Sequence, residues 1–106
     1  MAYCPPVLPY SPEVLDHLLA SARSGDGQAA AELERLHEPL LRLVADEFRG
    51  LLPAEQLDVC CRFALGRALK AFDAEAAAEG LTLEEMACDW MRLEVEETIR
   101  HQHWLR

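Results

Sequence analysis

Cations are scarce in this sequence. Lys and Arg number 10 against 19 Asp and Glu, which gives a formal charge of -9 over 106 residues. Attraction to phosphate backbones needs clustered positive charge, so the isolated chain is a poor general binder of nucleic acid. Glycine (5) and proline (6) are also few, which excludes a string of short strands and tight turns. No run of about 18 or more apolar residues occurs, so no transmembrane helix is expected. The opening Met-Ala-Tyr-Cys-Pro-Pro has no basic patch followed by an apolar core, so it does not read as a secretory leader. A Gly-rich phosphate loop, His-Glu-x-x-His and Gly-x-Ser-x-Gly are all missing, and with them the commonest signatures of nucleotide, zinc and acyl-transfer chemistry.

Leucine and alanine dominate what is there, with 18 and 16 copies. Both favour helix. Hydrophobic residues make up 51% of the chain, too many for a disordered acidic tail. The expectation is an all-α protein, a compact bundle of four to five helices in one domain over residues 11–106. Residues 1–10 carry Pro5, Pro6, Pro9, Tyr3 and Tyr10 and read as an extended N-terminal arm.

Four helical stretches follow from the spacing. Ser11-Pro12-Glu13 is a helix start, with a Ser cap, Pro at the first position and an acid near the positive end of the dipole. Val14, Leu15, Leu18, Leu19 and Ala22 share its face, and Gly25 stops it. A second stretch runs from about Gln28 to Phe48 on Leu33, Leu36, Leu40, Leu43, Val44 and Phe48. Pro39 lies inside it and predicts a kink or short break near His37–Glu38, because proline lacks an amide donor and crowds the preceding turn. Gly50 ends it. Pro53-Ala54-Glu55 opens the third stretch, whose stripe is Leu57, Cys60, Cys61, Ala64, Leu65, Ala68, Leu69 and Phe72. Residues 73–80 read as a linker. Thr82-Leu83-Glu84-Glu85 fits a capping box and opens the last stretch, to about His101. There Leu83, Met86, Ala87 and Trp90 share one face, Met91, Val95 and Ile99 lie further round, and Glu94 and Glu97 fall where the first stripe would continue. Leu69, Phe72 and Trp90 are the expected core anchors.

The four cysteines are Cys4, Cys60, Cys61 and Cys88. Cys60 and Cys61 are neighbours on a helix and face different ways, and no Cys-x-x-Cys pair exists. Reduced thiols packed as small apolar groups, in a cytoplasmic protein, are the better reading. The many acids read as solvated helix faces. His101-x-His103 would place its rings on opposed sides of a helix, which argues against chelation. No catalytic residue, no metal site and no cofactor is expected, and the chain does not read as an enzyme.

Four segments, in order, resemble region 2 of the main sigma-factor family of bacterial RNA polymerase. Leu18-Leu19-Ala20-Ser21-Ala22-Arg23-Ser24-Gly25-Asp26 is similar to the family's L-L-x-x-A-R-x-G-D opening. Leu36-His37-Glu38-Pro39-Leu40-Leu41-Arg42-Leu43-Val44 is similar to its Y-x-P-L-V-x-x-L-A helix, including the internal proline. Gly66-Arg67-Ala68-Leu69-Lys70-Ala71-Phe72-Asp73 resembles its G-L-L-K-A-I-E-K-F-D segment. Leu83 to Val95 is similar to F-S-T-Y-A-x-x-W-I-R-x-x-I, with Trp90-Met91-Arg92 standing for Trp-Ile-Arg. The resemblance spans residues 14–103 and implies a region-2-like helical domain with a role in transcription.

The departures from that pattern are as informative. Where the family carries D-L-x-Q-E-G toward the polymerase clamp, this chain has Gln56-Leu57-Asp58-Val59-Cys60-Cys61, so only Leu57 survives. The family's last helix melts promoter DNA with aromatics and bases. Here Asp89 replaces the first of its paired tryptophans, Met86 stands for its Tyr, and residues 83–100 hold six acids and two bases. Stacking of unpaired bases needs an aromatic platform in a cationic groove, and like charges repel phosphate. No counterpart of the family's second DNA-binding domain lies within the 106 residues. The expectation is therefore a degenerate or mimic form that binds protein. An anti-sigma factor, a transcription regulator or RNA polymerase is the expected partner, met by Val59, Phe63, Arg67, Met91, Trp104 and Leu105. Two other readings stay open. One is a subunit of a split sigma factor that contacts promoter DNA with a partner chain. The other is a homo-oligomeric helical protein of a mobile element or phage, a homodimer for example.

Overall fold

The computed structural model describes residues 12–72 and 79–104, and side chains for 13–72 and 79–102. The described residues form five helices and no strand: α1 Pro12–Arg23, α2 Gly27–Leu36, α3 Glu38–Glu47, α4 Ala54–Ala71 and α5 Leu83–Trp104. The fold is an all-α bundle, as the Leu/Ala composition and the helical spacing predict. The N-terminal arm, the proposed Ser11 cap and most of the 73–80 linker lie outside the described residues. No described helix is long and apolar enough to cross a membrane.

The turns follow local chemistry. Gly25 adopts φ +100, a left-handed conformation that glycine enters without a Cβ penalty. Around it the amide of Asp26 donates to Ser21 O and that of Gly25 to Ala22 O, which satisfies the last free carbonyls of α1 in a Schellman motif. The next residue then starts a new helix. The Asp26 carboxylate accepts from the amides of Gln28 at 3.0 Å and Ala29 at 3.3 Å. Gly25 ends α1 as its position predicts, and the Asp26 cap adds a start that the apolar spacing does not announce.

Pro39 divides the second stretch as expected. It sits at the second position of α3, where a missing amide costs nothing. His37 joins the two helices: its amide donates to Leu33 O and Glu34 O, and its carbonyl accepts from Leu40 and Leu41. The His37 ring is fully buried, and Nδ1–H donates to Leu33 O at 2.7 Å. The same residue therefore closes α2 and opens α3. At the start of α5 the amide of Glu85 donates to Thr82 Oγ1, while the Thr82 hydroxyl donates to the Glu85 carboxylate. This is a capping box whose second bond runs between side chains.

α5 packs on α4 as an antiparallel pair and also touches α3, while α1 packs chiefly on α2. The buried side of α4 is Leu57, Cys60, Cys61, Ala64, Leu65, Ala68 and Leu69, the stripe its spacing predicts. Leu33, Leu40, Val44, Leu83, Met91 and Val95 close the core. Two forks tie the layers. Arg62 on α4 reaches Glu38 on α3 at 2.9 and 3.1 Å, and Arg92 on α5 reaches Glu47 on α3 at 2.8 and 2.9 Å. The Arg92 hydrogen bonds hold the Glu47 carboxyl below its ordinary range.

Several assignments change. Val14 is 47% exposed, because α2 covers the other side of α1. Leu43 is 36% exposed and does not join the core. Cys60, Cys61 and Cys88 are free thiols and buried, as the reading of reduced packing groups predicts.

Candidate functional site

Helical spacing places Val59, Phe63 and Arg67 one turn apart on α4, along a line that the core does not use. Val59 is 66% exposed and Phe63 58%. Neither covers the other enough to hide it from water. Arg67 leans from this line toward α5. Its guanidinium carbon lies 5.7 Å from the Phe63 ring centroid and 5.6 Å from that of Trp90. Both distances fall within the range of cation–π attraction. The cation thus bridges two rings that belong to different helices and lie 27 positions apart in sequence.

The α5 wall of this surface is built from Trp90, Leu93, Glu94 and Glu97. Trp90 is half-buried and packs its inner edge on the core, while Leu93 is 56% exposed. Between the walls lies a cleft of about 200 Å³ lined by Ala64, Arg67, Trp90, Leu93, Glu94 and Glu97. Glu94 and Glu97 also border a second hollow with Thr98, Arg100 and His101. Among the described residues no cation stands within ion-pair distance of Glu94, Glu96 or Glu97. Toward the N-terminal end of α4, Cys60 Sγ contacts the Thr98 hydroxyl at 3.5 Å. That hydroxyl in turn donates to Glu94 O.

The structure brings together three of the six residues expected to meet a partner: Val59, Phe63 and Arg67. Met91 is a correction. It is 0% exposed and packs in the core, because α4 and α3 pack on the buried side of α5. The Trp104 side chain and Leu105 lie outside the described residues. Of the three expected core anchors, Leu69 is buried, and Phe72 and Trp90 are half-buried against the core. Trp90 therefore has two roles, an inner edge in the core and an outer edge on the surface. Leu93, Glu94 and Glu97 were missed as site residues. The sequence signal that finds them is the i, i+4 spacing of Leu93 and Glu97, together with the i, i+3 and i, i+4 steps from Trp90 to Leu93 and Glu94.

The Cys61 thiol is held in its neutral form. Burial pushes the Cys61 thiol up to about 11, with Cys60 and Asp58 adding to the effect. A thiol held neutral is a weak nucleophile and a poor metal ligand. No group of three or more His, Cys, Asp or Glu that could hold a metal ion occurs among the described residues.

No family model, no curated protein and no solved structure matches the chain.

Proposed function

We propose that this chain is a sigma-region-2-like interaction module that binds a protein of the transcription machinery rather than DNA. The candidates are an anti-sigma factor, a regulator or RNA polymerase. The observation that carries the protein-binding part is the open apolar face of Val59, Phe63, Trp90 and Leu93 across the α4–α5 seam. Exposed aromatics and aliphatics gathered on one face mark interaction sites more often than scattered single residues do. The link to transcription rests on the order of four motif segments. They fall on the end of α1, the α2–α3 junction, the end of α4 and the first half of α5.

Charge argues against DNA as the direct ligand. α5 would have to lie against phosphates, yet residues 83–100 carry six acids and two bases. Arg92 is already engaged with Glu47. Titration of the isolated chain with labelled forked promoter DNA is expected to give no binding at low or moderate salt. Tight, salt-sensitive binding would overturn the proposal. A photo-crosslinking residue at position 63 is expected to capture a transcription protein in cells of the native host, whereas the same probe at position 20 on α1 captures none.

A further inference from the structure

We infer that the α4–α5 cleft docks a basic amphipathic helix of the partner, with an apolar i, i+4 pair laid on Trp90 and Leu93 in the cleft and on Phe63 beside it, and Lys or Arg residues set against Glu94 and Glu97. This rests on the reading of the chain as a protein-binding module and names the chemistry of the segment it takes. The shape is the first argument. Two antiparallel helices leave a shallow furrow between their ridges, and a third helix lies along such a furrow with its apolar stripe inward. The cleft is walled by Ala64 and Arg67 on α4 and by Trp90 and Leu93 on α5, and the exposed Phe63 ring flanks it beyond the Arg67 guanidinium. The span from Val59 to Arg67 is about 12 Å at helical rise, long enough for two successive turns of a ligand helix.

Charge complementarity is the second argument. Arg67 is held over two rings. Arg100 and His101 stand at the far end, in the adjoining hollow. Between these, Glu94 and Glu97 line the cleft without an ion pair among the described residues. Glu96 extends the same sign along the outer side of α5. An acidic ligand helix would meet these carboxylates with repulsion, and a basic one gains from them while its apolar residue leaves water. A chain of formal charge -9 also steers a cationic partner toward itself before contact.

The test is selection from a displayed library of helix-forming peptides, with randomised charged and apolar positions, on the full chain. The expected binders carry net positive charge and an apolar i, i+4 pair. They are expected to lose at least tenfold in affinity against Phe63→Asp, and several-fold, with a shallower salt dependence, against the double variant Glu94→Gln/Glu97→Gln. All of these positions are at least partly exposed, and a circular-dichroism melt checks that the variants fold. Recovery of acidic or neutral binders, binders indifferent to Phe63→Asp, or no binders at all would overturn the inference. Two further outcomes overturn it by naming another occupant. One is a dimer in sedimentation that Phe63→Asp dissociates, which makes the occupant a second copy. The other is a tenfold gain in peptide affinity on deletion of residues 2–10, which makes it the chain's own N-terminal segment. The proposed function fails separately, through tight binding of forked DNA, whatever the peptides do.

Discussion

His37 is the one polar side chain fully removed from water among the described residues. Burial holds its pKa below the ordinary histidine value, against the opposing pull of the Leu33 carbonyl and the Glu84 carboxylate. A lowered folded pKa means that the unfolded chain takes up the proton first as pH falls. The stability tied to neutral His37 is therefore complete above about pH 6.5 and is lost as pH drops below it. Urea midpoints measured from about pH 7.5 to about pH 5.5 are expected to fall for the native chain more steeply than for His37→Gln. Equal slopes would show that the ring takes no part. Cys61 gives a second prediction at this scale. With its thiol pushed up to about 11 and its side chain buried, it is expected to react with a disulfide reagent only as fast as the fold opens. The measurement is thiol release in a Cys4→Ser background, and a rapid native-state phase would contradict the burial.

At the scale of single elements, α4 is the most legible helix and carries one weak point. Its seven buried residues follow the spacing read from sequence without exception, because α2, α3 and α5 pack on it over a wide arc and leave only one narrow line open. Gly66 lies inside this helix. An added Cβ there would meet Glu34 Oε1 at 3.9 Å, an ordinary contact. Gly66→Ala is expected to stabilise the protein by about 1 kcal/mol through helix propensity and a less free unfolded chain, raising Tm by about 4–8 °C in a thermal melt. Gly25→Ala is expected to lower Tm instead, because φ +100 strains any L side chain. The junction of α2 and α3 was legible from Pro39 alone. Its buried histidine was not, because nothing in the local pattern says that the residue joining two helices will be covered by others.

For the molecule as a whole, the division between core and surface decides which apolar residues matter for stability and which for recognition. Met91 is enclosed, so Met91→Ala leaves a cavity and is expected to cost about 2–5 kcal/mol in chemical denaturation. That is a large part of the stability of a small domain. Phe63→Ala removes a ring of which 58% faces water and is expected to cost about 1 kcal/mol or less, the loss being mainly its contact with Arg67. A stability loss at Phe63 as large as that at Met91 would mean that the α4–α5 face is structural and not open for a partner.

The sequence by itself determined the helical class, the break at Pro39, the stop at Gly25, the start at Thr82 and the buried side of α4. Each of these is written in neighbours a few positions apart, through backbone restriction, capping or helical period. Only the tertiary structure decided that Met91 is core, that Val14 is not, and that Phe63, Arg67 and Trp90 form one surface. Helical periodicity sets the angle at which a side chain leaves its own cylinder. It does not say which other cylinder covers that angle, and Met91 and Trp90, adjacent in the chain, end on different sides of that boundary.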